Sequence, residues 1–275
     1  MTRSTASTWD LGLGLAWAAL AWVALLAAGG CATHPGGAAA SQDIVTESDE
    51  PEARKRARIR MELAVGYFEQ GQTNVALDEL KQVIASDPSF PDAYNLRGLI
   101  YMRLNDTRQA EESFRRAVAL NPRDPNVQHN YGWLLCQQAR YDESQRAFDV
   151  AMANPLYTGR AKTLMAQGLC QARAGRSEEA ERSLARSYEL DAGNPITGYN
   201  LAALLYRRGD FTRAQFYIRR LNNSELANAE TLWLGIKVER RLNEQIAMRQ
   251  LGEQLRKRFS QSREATAYER GAFDD

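Results

Sequence analysis

Along most of the chain apolar positions recur with the helical period of 3.6 residues, which gathers them on one face. A longer period is laid over this one. A small residue recurs at Ala64, Gly98, Gly132, Gly168, Ala202 and Gly235, in steps of 34, 34, 36, 34 and 33. Twelve residues after each stands Ala76, Ala110, Ser144, Ala180, Ala214 or Ala247, and four further on Leu80, Phe114, Phe148, Leu184, Ile218 or Leu251. Small side chains at a helix crossing let two backbones approach, and the large one beside them fills the remaining space. Gly71, Asn105-Asp106, Gly175, Gly209-Asp210 and Leu242-Asn243 fall where one helix must reverse into the next, mostly with residues that tolerate turn or left-handed geometry. Pro88, Pro122 and Pro155 then close the first three units, because proline cannot continue a helix. The pattern predicts six helical hairpins in one register.

A hairpin repeated at about 34 residues is the mark of the tetratricopeptide repeat (TPR), whose hairpins stack into a superhelical solenoid. Three columns aligned over six units separate this reading from an irregular helical bundle, which shares only the short period. The expected fold is all-α, a domain over residues 53–275 with repeats near 57–90, 91–124, 125–160, 161–194, 195–227 and 228–259. The sixth is the least typical, with Gln254 replacing a small residue, and the polar stretch after it is expected to cap the last core face.

The N-terminus breaks the pattern. Leu11 to Ala28 carries no charge and is followed by Gly29, Gly30 and Cys31. A run of this length is just enough to span a bilayer, but small residues directly after an apolar core are how a secretory signal ends. Ala28-Gly29-Gly30-Cys31 looks like a lipobox, the site at which bacterial lipoproteins are cut before a cysteine that then carries acyl chains. The expectation is a signal peptide over 1–30, lipidation of Cys31, and a flexible tether over 31–52 built of small residues, Pro, Ser and acids. Ala32 stands after the cysteine where an Asp would favour retention, so the expected location is the periplasmic face of the outer membrane.

In such arrays the first helices line a concave groove, and positions 2, 5, 9 and 12 of each repeat commonly point into it. Here those positions supply Val65, Phe68, Leu99, Met102, His129, Trp133, Met165, Leu169, Tyr199 and Tyr206 as candidate groove residues. Aromatic and methionine side chains make adaptable anchors for a partner helix or extended segment. The alternative is that each merely packs against its neighbours. A groove that clamps a free carboxyl terminus would instead cluster Lys, Arg and Asn at these sites, and that cluster is missing. The run Arg54, Lys55, Arg56, Arg58 and Arg60 reads either as a face toward anionic lipid or as an ordinary solvated helix face.

Charge and chemistry narrow the field further. With 35 basic and 34 acidic residues the chain has no net field to collect nucleic acid or an acidic substrate. Its two histidines, His34 and His129, lie far apart in sequence and suggest neither a catalytic dyad nor a zinc site. No phosphate loop, dinucleotide turn or nucleophile elbow occurs. No enzyme activity, cofactor, metal or small-molecule substrate is expected; the expected partner is a protein. Cys136 and Cys170 fall near the same ends of two neighbouring first helices, so a bridge is within reach. A pair of buried free thiols is the other reading, and export to an oxidising compartment favours the disulfide.

From about Arg58 to Phe273 the chain resembles the TPR lipoproteins of type IV pilus biogenesis, the family that contains the pilotins of the pilus secretin. The resemblance is carried by Asn130-Tyr131-Gly132-Trp133-Leu134-Leu135-Cys136, by Tyr141-Asp142-Glu143-Ser144, Phe148, Ala151, Pro155 and Tyr157, and by Gly168-Leu169-Cys170. Ala139 stands where the family usually has Gly, and Gln167 where Asn is common. What the resemblance implies is a lipoprotein that helps a secretin ring reach or assemble in the outer membrane, or stabilises the pilus. A TPR lipoprotein subunit of outer-membrane protein or envelope assembly would share the same architecture.

Overall fold

The period written into the sequence becomes a run of helices in the computed structural model, which describes residues 51–273. The expected signal peptide, Cys31 and nearly all of the expected tether lie outside the described residues; the first helix begins at Glu52, the last residue of that tether. The hairpins are α1 (Glu52–Glu69) with α2 (Thr73–Ser86), α3 (Pro91–Arg103) with α4 (Thr107–Leu120), and α5 (Pro125–Gln137) with α6 (Tyr141–Met152). They continue with α7 (Arg160–Arg173) and α8 (Ser177–Leu190), α9 (Pro195–Arg207) and α10 (Phe211–Asn222), and α11 (Ala229–Arg241) and α12 (Gln245–Arg258), before α13 (Arg263–Arg270). The described residues are all helix, turn and coil, an all-α TPR solenoid. None of their helices is long and apolar enough to cross a membrane.

Each hairpin turns on one residue in the left-handed region. These are Gly71, Asn105, Ala139, Gly175, Gly209 and Asn243, with φ between 59° and 81°. Five are Gly or Asn, the residues for which that conformation costs least; Ala139 is the exception. Helix starts are set as firmly. Pro91, Pro125 and Pro195 occupy the first turn of α3, α5 and α9, where a missing N–H goes unnoticed. Asp106, Asp124, Asn194, Asp210 and Asn228 accept from the free amides of the helices they precede.

The three columns form the core. Ala64, Ala76, Leu80, Ala110, Phe114, Phe148, Ala180, Ala202, Ala214 and Ile218 are fully buried, and Leu184 is nearly so. Gly98 must be small because a Cβ there would lie 2.6 Å from the Phe114 ring, and one at Gly132 would lie 2.9 Å from Phe148. The last repeat is looser: Ala247 and Leu251 are only half buried, and a cleft of about 320 Å³ opens between α10, α11 and α12. There Asn222 fills a place held by Ile84, Val118, Met152, Tyr188 and Leu255 in the other repeats, and Glu239 one held by Phe68, Met102, Cys136, Ala172 and Tyr206. The fully buried Glu239 carboxylate is held by Arg219 through two bonds of 2.7 and 2.8 Å and by Gln215 at 2.8 Å. The end is closed by α13, with Ala265 buried and Phe273 stacked on Trp233 at 5.5 Å.

Consecutive first helices touch one another throughout, α1 with α3 and on to α9 with α11, and α13 takes the next place against α11. Among the described residues no two second helices come as close. Hairpins that meet along one edge and fan apart along the other curve, so the first helices line the inner face.

Candidate groove and repeat seams

Nine of the ten candidate groove residues are half buried: Val65, Phe68, Leu99, Met102, Trp133, Met165, Leu169, Tyr199 and Tyr206. Each packs one side against the core and leaves the other open. That is the state expected of a preformed anchor strip, since a side chain fixed from beneath loses little entropy when a partner covers it.

His129 departs from the expected role and belongs to the core. It is 5% exposed, its Nδ1 is 2.8 Å from Thr163 Oγ1 on α7, and its ring lies 6.0 Å from that of Phe148. Burial, with Lys162 adding to it, pushes its pKa down from 6.5 to about 4, so the imidazole is neutral at physiological pH. The Tyr157 hydroxyl sits 3.1 Å from the same Thr163 oxygen. Tyr157 plugs the longer loop between the third and fourth hairpins, which explains the 36-residue step there. The sequence pattern, reading only helix position, misses how far Thr163 and Tyr157 enclose His129.

The strip is also less purely apolar than expected, because cations from the following repeat lie over its rings. Arg103 is 5.6 Å over Phe68, and its Nη1 donates to the Phe68 carbonyl at 3.3 Å. Arg173 is 5.1 Å over Trp133, and Lys237 is 5.7 Å from Tyr206 and also 5.5 Å from Trp233 of its own helix. Burial lowers the pKa of Lys237 and raises that of Tyr199, the latter helped by Glu230. These cations stand outside positions 2, 5, 9 and 12, which is why a search of those positions does not find them. A polar rung accompanies them, Asn130 donating to Asn95 at 3.0 Å between α5 and α3.

At the centre of the strip the structure pairs Cys136 of α5 with Cys170 of α7 as a disulfide, with Cα atoms 5.7 Å apart. Trp133, Tyr141, Phe148 and Ala166 pack around it. Ser144 donates to the Gly132 carbonyl at 2.7 Å and lies 3.4 Å from the Cys170 sulfur. The bridge joins first helices of adjacent repeats on the inner side.

The basic run at the start of α1 is largely matched by acids. Arg54 pairs with Asp87 and lies over Phe90, Lys55 meets Glu52 at 3.1 Å, Arg58 meets Glu62 at 3.8 Å and Arg60 meets Glu79 at 2.8 Å. This is the solvated, ion-paired face. Among the described residues no group of three or more His, Cys, Asp or Glu is placed to hold a metal.

A tetratricopeptide-repeat family model matches residues 61–125 and again 96–154. The type IV pilus assembly protein PilF of Pseudomonas aeruginosa is 27% identical over 246 residues, covering 89% of this chain and 95% of that protein. The crystal structure of PilW, a widely conserved type IV pilus biogenesis factor, superposes with a TM-score of 0.71 at 29% identity, over 77% of this chain and 97% of PilW. The structure of P. aeruginosa PilF matches in fold with a TM-score of 0.73 at 24% identity, over 80% of this chain and all of that one. The chain is an all-α tetratricopeptide-repeat solenoid that is similar, over most of its length, to the type IV pilus biogenesis proteins PilF and PilW.

Proposed function

We propose that the chain serves type IV pilus biogenesis as a non-catalytic scaffold, binding a segment of the outer-membrane secretin or of another pilus-assembly component along its inner face. The observation that carries this reading is the extent of the match to PilF, which runs through 95% of that protein and is not confined to a few repeats. The half-buried strip from Phe68 through Trp133 to Tyr206 is the surface we assign to the contact. Its rings offer apolar area, and the cations over them offer charge to carbonyl or carboxylate groups of the bound segment. Acyl chains on Cys31 would hold the complex at the periplasmic face of the outer membrane, so that carrier and cargo share a route. Colocalisation, not chemistry, is then the mechanism. An oxidising periplasm would keep the Cys136–Cys170 bridge closed and the centre of the strip fixed.

Pull-down from detergent-solubilised envelopes tests the partner. Wild type is expected to recover the secretin, and Phe68→Ala with Trp133→Ala to lose it. Recovery of barrel-assembly proteins without any pilus component would overturn the reading. Acyl labelling and membrane fractionation of wild type against Cys31→Ser test the anchor, with an unlabelled, soluble wild-type protein as the contrary result.

A further inference from the structure

On the outer face, a second surface lies where the fourth and fifth repeats meet. In the second and third repeats, the fourth position of the first helix carries a long side chain that closes the seam: Tyr94 donates to the Pro88 carbonyl at 3.1 Å, and Gln128 to the Pro122 carbonyl at 2.7 Å. In the fifth repeat that position is Gly198. The seam stays open as a cleft of about 230 Å³ between α8, α10 and the loop before α9. Its aromatic walls are Tyr188 and Tyr217, packed edge to face with centroids 4.9 Å apart, and Pro195 and Leu226 form part of the rim. Leu226 is 51% exposed, and Phe216, whose ring is 5.1 Å from that of Tyr217, is 62% exposed. Single apolar residues scattered over a surface need no account, whereas these two border one aromatic cleft.

The charge of the cleft is one-sided. Arg220 is its only charged lining residue, and no Asp or Glu lines it. The guanidinium lies 6.0 Å over the Tyr188 ring and makes no ion pair among the described residues. The other arginines along this helix differ: Arg213 pairs with Glu181 and Arg219 with Glu239. Asp191, next to the cleft, already accepts from the Gly193 amide at 3.1 Å. An apolar slot with a single cation and no acid at its rim suits a ligand that is apolar and anionic at once.

We propose that this cleft is a docking site for a protein segment that carries a large apolar side chain next to a carboxylate. The side chain enters beside the packed Tyr188–Tyr217 pair, toward Gly198 and Pro195, and the carboxylate meets Arg220. The volume suits one side chain, not a drug-sized molecule. The site is on the opposite face from the proposed pilus-protein groove and does not depend on it, so the two faces can hold two partners at once.

Fluorescence anisotropy of the full chain with the labelled peptide acetyl-Ser-Leu-Phe-Glu-Ser-amide tests the proposal. Saturable binding is expected, weaker by about tenfold or more when Arg220→Gln removes the charge-assisted contact. The same loss is expected on changing the peptide's Glu to Gln, which leaves the protein untouched. Trp133→Ala, in the inner strip, should bind as wild type does. Absence of saturable binding at millimolar peptide, equal binding by Arg220→Gln, or loss of binding in Trp133→Ala would each overturn the assignment.

Discussion

Ala139 turns its hairpin with φ of 59°, in a place that Gly or Asn holds in the five other repeats. A Cβ in the left-handed region costs on the order of 1 kcal/mol, so Ala139→Gly is expected to raise the urea midpoint by a stability gain of about that size. The sequence marks the other five turns because Gly and Asn advertise the conformation; Ala does not, and only the register reveals it. His129 shows a different limit of reading from sequence. Its folded pKa of about 4 lies below the ordinary 6.5, so the unfolded chain binds the proton more readily. Stability from this group is complete above about pH 6.5 and is lost progressively as pH falls toward 4. The loss approaches roughly 3 kcal/mol. His129→Gln should flatten the pH dependence of unfolding across that window, and an unchanged slope would place the acid sensitivity elsewhere.

Between elements, the strongest single tie is the Cys136–Cys170 bridge from α5 to α7, closing a sequence separation of 34 residues. Cross-links over such loops contribute about 2–4 kcal/mol. Urea unfolding in reductant, or of the Cys136→Ser, Cys170→Ser double variant, is expected to show a loss in that range. The helices themselves were legible because three columns of small and large residues repeat together, and each column is a packing requirement. The cations over Phe68 and Trp133 were not. Arg103 and Arg173 end their helices, where a basic residue is already accounted for by the helix dipole. Nothing in the local pattern tells that they also reach back across the preceding repeat. Gly198 was equally silent, since a small residue near a helix start reads as tolerance until its bulky counterparts Tyr94 and Gln128 are seen closing their seams.

For the molecule as a whole, stability is a sum over neighbours, since each hairpin touches only the next. The cap should therefore protect locally. Removing residues 259–275 strips Ala265, Tyr268 and Phe273 from the cluster around Leu232, Ile236 and Leu255. Amide hydrogen exchange should then speed up in α11 and α12 and stay unchanged in α1 to α6; a uniform increase would show instead that the array unfolds as one body. The solenoid and its cap were readable from periodicity, and the polar seam of the sixth repeat was foreshadowed only by Gln254. That seam has a mechanical meaning. The middle of the array is stapled covalently, while its far end is held by Leu234 and Val238 of α11 against Ile218 and Leu221 of α10, beside a cleft of about 320 Å³ and the Arg219–Glu239 pair. A pull along the array meets a covalent link between the third and fourth repeats and only non-covalent contacts between the fifth and sixth, so the last repeat is expected to peel away before the stapled centre opens.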